Sequence, residues 1–151
     1  MSNLVLESSA FKNNEKIPKK YGYKNTNINP PLTIKGIPQD TESLVLIMDD
    51  PDAMDAVGKV WVHWMIWNIA STTTEIKENS IPIGSIQGKT DFEQIGYGGP
   101  APPDKEHTYI FKLYALDTKL NLKEGSSKKD VEKSIQDHIL AEAKLTGRYS
   151  P

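Results

Sequence analysis

Three runs of the chain are dense in apolar residues, and each has the length and residue types of a β-strand. Ser43 to Asp49 reads SLVLIMD and stops at Asp50-Pro51. A short Val/Leu/Ile-rich run bounded by a turn signal predicts a buried strand ending in a polar loop. Lys59 to Ile69, KVWVHWMIWNI, is apolar on both faces and rich in aromatic and β-branched residues. That composition predicts a central strand covered on both sides, with His63 in its middle. The third run, His107 to Leu116 (HTYIFKLYAL), again has strand character.

Between these runs the chain is heavily punctuated. Pro18, Gly22, Asn25, Asn27, Asn29, Pro30, Pro31, Gly36 and Pro38 interrupt the first forty residues, so short strands and turns are expected there. Gly84 to Pro103 ends in IGYGGPAPP and predicts loop over most of its length. One helix is expected, from Ser127 to about Leu145, because Val131, Ile135, Ile139 and Ala143 recur at a spacing of four. Ser127 is placed to cap it, with Asp130 completing a capping box. His138 falls near the same stripe, where packing is the expected role. No internal repeat or linker appears, so residues 1–151 are read as a single domain.

Composition removes several classes of function. Lys and Arg total 18 against 20 Asp and Glu, with the signs interspersed, so no footprint for nucleic acid or an anionic membrane is present. Any bound anion must be caught locally. With no cysteine, disulfides, thiolate nucleophiles and Cys-based zinc sites are excluded, and a reducing compartment fits. The N-terminus has no basic segment followed by an apolar stretch, and no run approaches the roughly 18 apolar residues of a membrane span. A soluble, cytoplasmic protein is expected.

Strand alternation then brings chemistry to one face. His107, Tyr109, Phe111 and Leu113 share a face, opposite Thr108, Ile110 and Lys112. Leu44, Leu46, Met48 and Asp50 likewise share one, which puts the Asp50 carboxylate at a strand end. The GYGGPAPP loop enters the third strand beside His107 and can present backbone N–H groups as an anion nest. Imidazole, phenol and amides together make donors for a phosphate-like oxyanion. A carboxylate near two histidines should raise their pKa values, so anion binding should strengthen below neutral pH.

Each feature also has a plainer explanation. His63 amid Trp61, Trp64 and Trp67 reads on its own as a hydrogen-bonded core residue. Asp49-Asp50-Pro51-Asp52 can be a strand-ending turn, and the Gly/Pro loop can serve only unusual backbone angles. The acidic cluster has the oxygen donors for Mg²⁺ or Ca²⁺, but it lacks the Gly spacing and distal Glu of an EF-hand, and Pro51 stiffens it. No metal or other cofactor is expected. Neither a nucleophile elbow, a phosphate-binding P-loop, a dinucleotide fingerprint nor a zinc-protease motif is present.

Taken in order, the motifs resemble the phosphatidylethanolamine-binding protein family, specifically its short prokaryotic, Raf kinase inhibitor-like members. The resemblance runs through SSAF, IP-x-x-Y (Ile17 to Tyr21) and N-x-N-P-P-L (Asn27 to Leu32) to D-P-D-A (Asp50 to Ala53). It continues through His63-Trp64, GYGGPAPP (Gly96 to Pro103) and H-x-Y (His107 to Tyr109), ending at G-R-Y (Gly147 to Tyr149). Three positions depart from the family pattern: Met54 replaces the usual Pro, Lys105 the usual Gly and Thr108 the usual Arg.

The resemblance implies a mostly-β fold, a central antiparallel sheet packed on a smaller sheet with peripheral helices, and often a homodimer. It implies a ligand pocket of Asp50, His63, His107 and Tyr109, with Asp52 nearby and Gly99 and Pro100 in the wall. It brings ligands such as phosphate, phosphoethanolamine or a nucleotide, and no accepted catalytic activity. Three functions follow as expectations: anion binding, inhibition of a kinase or serine protease by contact, and phosphoester hydrolysis using His63 and His107 as acid and base.

Overall fold

The computed structural model describes residues 3–151. Its strands are β1 (Val5–Glu7), β2 (Glu15–Lys16), β3 (Leu32–Lys35), β4 (Ser43–Asp50), β5 (Trp61–Ala70), β6 (Glu75–Ile76), β7 (Ile86–Gln87), β8 (His107–Leu116) and β9 (Ile139–Tyr149). Two α-helices, α1 (Ala53–Val57) and α2 (Lys128–Ile135), complete it with a 3₁₀ turn at Lys19–Tyr21. The larger sheet has the order β2-β9-β8-β4-β5-β7 and the smaller one β1-β3-β6. Pairing is antiparallel apart from the short β2–β9 edge. The fold is therefore mostly β, and the three apolar runs form the adjacent strands β8, β4 and β5.

Alternation along β4 divides the interior into two cores. Leu44, Leu46 and Met48 pack with Leu6 and Ile34 of the smaller sheet and Phe111 of β8. Val45 and Ile47 pack on the opposite side with Met65, Trp67 and the α2 residues Val131 and Ile135. Both faces of β4 are thus covered and all of its residues are buried. Each such aliphatic side chain contributes about 1.5–3 kcal/mol on leaving water. An ion cluster fastens α2 to this layer: Lys112 and Lys128 both donate to Asp49 Oδ2, at 3.2 and 2.8 Å.

The expected C-terminal helix is only half present. Its start is as expected: Ser127 Oγ accepts the Asp130 N–H and Asp130 Oδ2 accepts the Ser127 N–H. However, α2 ends at Ile135, Asp137 takes a left-handed φ of 69°, and β9 follows. A spacing of four is also a multiple of two, so Ile135, Ile139 and Ala143 suit a strand as well as a helix. Pairing of β9 with β8 from His107↔Tyr149 to Leu116↔Ile139, with one register shift between Ala115 and Leu116, decides the matter, because no local helix offers that partner. His138 is correspondingly not packed; it is 46% exposed and contacts Asp117 at 2.7 Å. No helix among the described residues is long and apolar enough to cross a membrane.

Candidate functional site

Asp50 ends β4 and His107 begins β8, so antiparallel pairing carries both to the same end of the sheet. Asp50 Oδ1 accepts the Asp52 N–H at 3.0 Å, an Asx turn that stops the strand. Asp50 Oδ2 lies 2.6 Å from His107 Nδ1. Asp104, in the loop before β8, places Oδ1 2.7 Å from His107 Nε2. Carboxylates only accept, so an imidazole held on both nitrogens by carboxylates is an imidazolium donating twice.

The electrostatics agree with this arrangement. Burial by itself lowers the His107 pKa, but the hydrogen bonds and charges of Asp50 and then Asp104 outweigh it and raise the value above the ordinary histidine range. Burial raises the Asp50 carboxyl above its usual range against the opposing pull of His107. Asp104 is held below its usual range, because its contact with His107 overcomes its own desolvation.

His63 reaches the same site through a break in strand alternation. On β5, Met65 and Trp67 face the α2 side, and simple parity assigns His63 to that side too. Between Met48↔Trp64 and Asp49↔Val62 the register slips by one residue, a β-bulge at His63. The bulge turns His63 toward Tyr109, with ring centroids 5.1 Å apart and planes 83° apart.

His63 Nδ1 meets the Gly98 carbonyl at 2.7 Å, and the Gly98 N–H returns a bond to the His63 carbonyl at 2.8 Å. A carbonyl only accepts, so Nδ1 carries the proton and Nε2 has the lone pair. Burial depresses the His63 pKa to about 4. The expectation of two charged histidines is therefore corrected. His63 is a neutral ring locked by Gly98, and its desolvation exceeds the pull of any nearby carboxylate.

Tyr109 is fully buried, and its hydroxyl makes no hydrogen bond of normal geometry among the described residues, although the Asp50 carboxylate and the Ala101 backbone lie close enough to act on it. Burial and the neighbouring Asp50 charge push its pKa far upward, so it is a neutral phenol that can donate. Asp50, His63, His107 and Tyr109 line one cavity of about 240 Å³. Its remaining walls are apolar: Ala53, Ala56 and Val57 from α1, Trp61 and Phe92 opposite, and Ala101 and Pro103. Phe92 stacks on Tyr23 at 4.1 Å and meets His63 edge-on at 5.4 Å. Its loop is pinned by Asp91, whose Oδ2 accepts the Val62 N–H and whose Oδ1 takes Lys59, both at 2.7 Å.

The other expected residues stand behind the cavity. Asp52 Oδ2 accepts the Thr108 N–H at 2.8 Å, tying the turn to the start of β8. Gly99 donates its N–H to Asn27 Oδ1 at 2.8 Å and runs so close to Tyr21 that a Cβ would sit 2.0 Å from that carbonyl oxygen. The Pro100 carbonyl accepts the Tyr23 N–H at 2.9 Å, and its ring faces a neighbouring depression beside Lys19 and Lys24. The amides of Gly98 and Gly99 are thus spent within the fold and form no free anion nest. Lys105 is absent from the residues with positive φ, so replacing the usual Gly there requires no left-handed backbone.

Sequence reasoning missed Phe92 and Asp104. Phe92 has no signal beyond being an aromatic in a loop. Asp104 has one, because an acid three residues before a histidine can fold back onto it.

Comparisons with known proteins bear on the family and the fold. A profile of the family described as phosphatidylethanolamine-binding protein matches residues 7–150. A UPF0098 protein of Methanothermobacter thermautotrophicus is 46% identical over 149 residues, spanning 95% of this chain and 97% of the relative. The crystal structure of CT736, a phosphatidylethanolamine-binding protein homologue of Chlamydia trachomatis, superposes with a TM-score of 0.93 at 35% identity, covering 100% of this chain and 99% of that one. Escherichia coli YbcL gives 0.92 at 31% identity, with 99% of each chain covered. The chain belongs to the phosphatidylethanolamine-binding protein family.

Proposed function

We propose that the protein binds a small phosphorylated or carboxylated ligand in the cavity lined by Asp50, His63, His107 and Tyr109. The observation that carries this reading is the Tyr109 hydroxyl, a fully buried polar group that makes no hydrogen bond of normal geometry among the described residues, its ring centroid 6.4 Å from that of His107. Such a group normally costs about 1–3 kcal/mol, and an oxyanion accepting from it recovers that cost. Apolar walls supplied by Trp61, Phe92 and α1 suit a ligand whose charged end is attached to an apolar body.

Titration calorimetry with phosphate, phosphoethanolamine, a nucleotide and sulfate tests the reading. Sulfate keeps a constant charge across the range, so its pH dependence reports the protein alone. Affinity is expected to be greatest below the raised His107 pKa and to fall as pH rises through it. His63, with a pKa of about 4, stays neutral and adds nothing to that profile. Sulfate affinity that is flat with pH, or unchanged in His107→Ala, overturns the assignment.

Contact with a protein partner is a second reading, favoured by the exposed Met54 and Val57 of α1 near the cavity. Hydrolysis finds less support. A general base works best with a pKa near the operating pH, and His63 lies far below it.

A further inference from the structure

The donor that His107 can offer a ligand is already occupied. Nδ1 is held by Asp50, a buried strand-end residue, so the ring's other donor is Nε2, where Asp104, next in the chain to the cavity-lining Pro103, places Oδ1 at 2.7 Å. Asp104 is 41% exposed, while the His107 side chain it covers is fully buried. Between Pro103 and Glu106 the chain is exposed and has no helix or strand, so Asp104 can leave without disturbing either core.

The loop is independently anchored on both sides of Asp104. Tyr23 donates to the Pro100 carbonyl at 2.9 Å, and Arg148 binds Glu106 at 3.1 Å. Holding the loop in place therefore does not require Asp104. The charge balance also points away from an open anion site, because one imidazolium faces two carboxylates.

Resting on the anion-binding reading above, we propose that Asp104 is a tethered internal anion that occupies the His107 Nε2 position and must be displaced before an external anion binds. A carboxylate tethered three residues away competes at a high effective concentration. The apparent affinity for an external anion falls by the fraction of molecules in which Asp104 has swung aside. The device also sets selectivity. A ligand must outcompete a carboxylate, which favours a doubly charged phosphate ester or a ligand whose apolar body gains from the cavity walls.

Calorimetric titration of inorganic phosphate into wild type, Asp104→Ala, Asp104→Asn and the double variant Asp104→Ala/His107→Ala tests this. Phosphate is expected to bind Asp104→Ala about tenfold or more tightly than wild type. Asp104→Asn should behave similarly, and the double variant should lose the gain. Equal or weaker binding in Asp104→Ala overturns the gate. If that equal binding is still lost in His107→Ala, the anion site itself stands. Binding by neither wild type nor Asp104→Ala removes both proposals, and a gain that survives in the double variant places the phosphate elsewhere and overturns the gate.

Discussion

Asp49 and Asp50 are neighbours on β4, yet alternation sends their carboxylates to opposite faces of the sheet and into opposite kinds of environment. Asp49 is buried under α2 with two cations on one oxygen, Lys112 at 3.2 Å and Lys128 at 2.8 Å. Asp50 is buried on the other face with one cation, His107, which it shares with Asp104. The first cluster has positive charge to spare and lysine stems that reach water, so it is self-contained. The second has surplus negative charge, a phenol that makes no hydrogen bond of normal geometry among the described residues, and a cavity. A buried charge by itself is therefore weak evidence of a site, and what sets the Asp50 cluster apart is that it opens onto a cavity.

The comparison can be broken most forcefully at Asp49. Asp49→Ala removes the partner of two half-buried ammonium groups and should cost about 3 kcal/mol in urea unfolding. Sulfate affinity should nevertheless stay within about twofold of wild type. A large loss of affinity with intact folding would show that the two faces are coupled.

The next effect concerns His63, which belongs to the site by position and to the core by electrostatics. Its pKa is about 4 in the folded protein against an ordinary value of 6.5. Below 6.5 the unfolded chain takes up a proton that the folded chain refuses, so stability falls as pH drops through this window. The loss attributable to this residue reaches about 3 kcal/mol near pH 4. In His63→Gln that part of the acid dependence should vanish, and an unaltered acid limb would reassign it to the carboxylates.

Tyr109→Phe is the smallest and most selective change. It removes a buried hydroxyl that makes no hydrogen bond of normal geometry among the described residues, so stability should stay within about 0.5 kcal/mol or rise slightly. Anion affinity should drop about fivefold, equivalent to one hydrogen bond of about 1 kcal/mol. Unchanged affinity would confine the ligand to His107.

Legibility in the sequence followed the range of the interaction involved. β4 and β8 were readable because a strand buried on one or both faces repeats every two residues, and that repeat alone places Asp50 level with Met48 and Tyr109 level with His107. The region after Ile135 was not readable, since Ile139 and Ala143 satisfy both periods and only a long-range partner separates them. Phe92 reaches the cavity through a loop pinned by Asp91 to Val62, a contact that leaves no pattern in the intervening residues.

What the sequence determined by itself was the mostly-β character, the faces of the regular strands and the family membership carried by the ordered motifs. Tertiary structure alone decided that His63 turns onto the Tyr109 face, that it is neutral while His107 is charged, and that Asp104 closes over Nε2. The physical reason is that alternation and turn chemistry are local properties of the backbone. A bulge, a desolvation and a carboxylate folded onto an imidazole depend on which distant strands meet and on how much water they exclude.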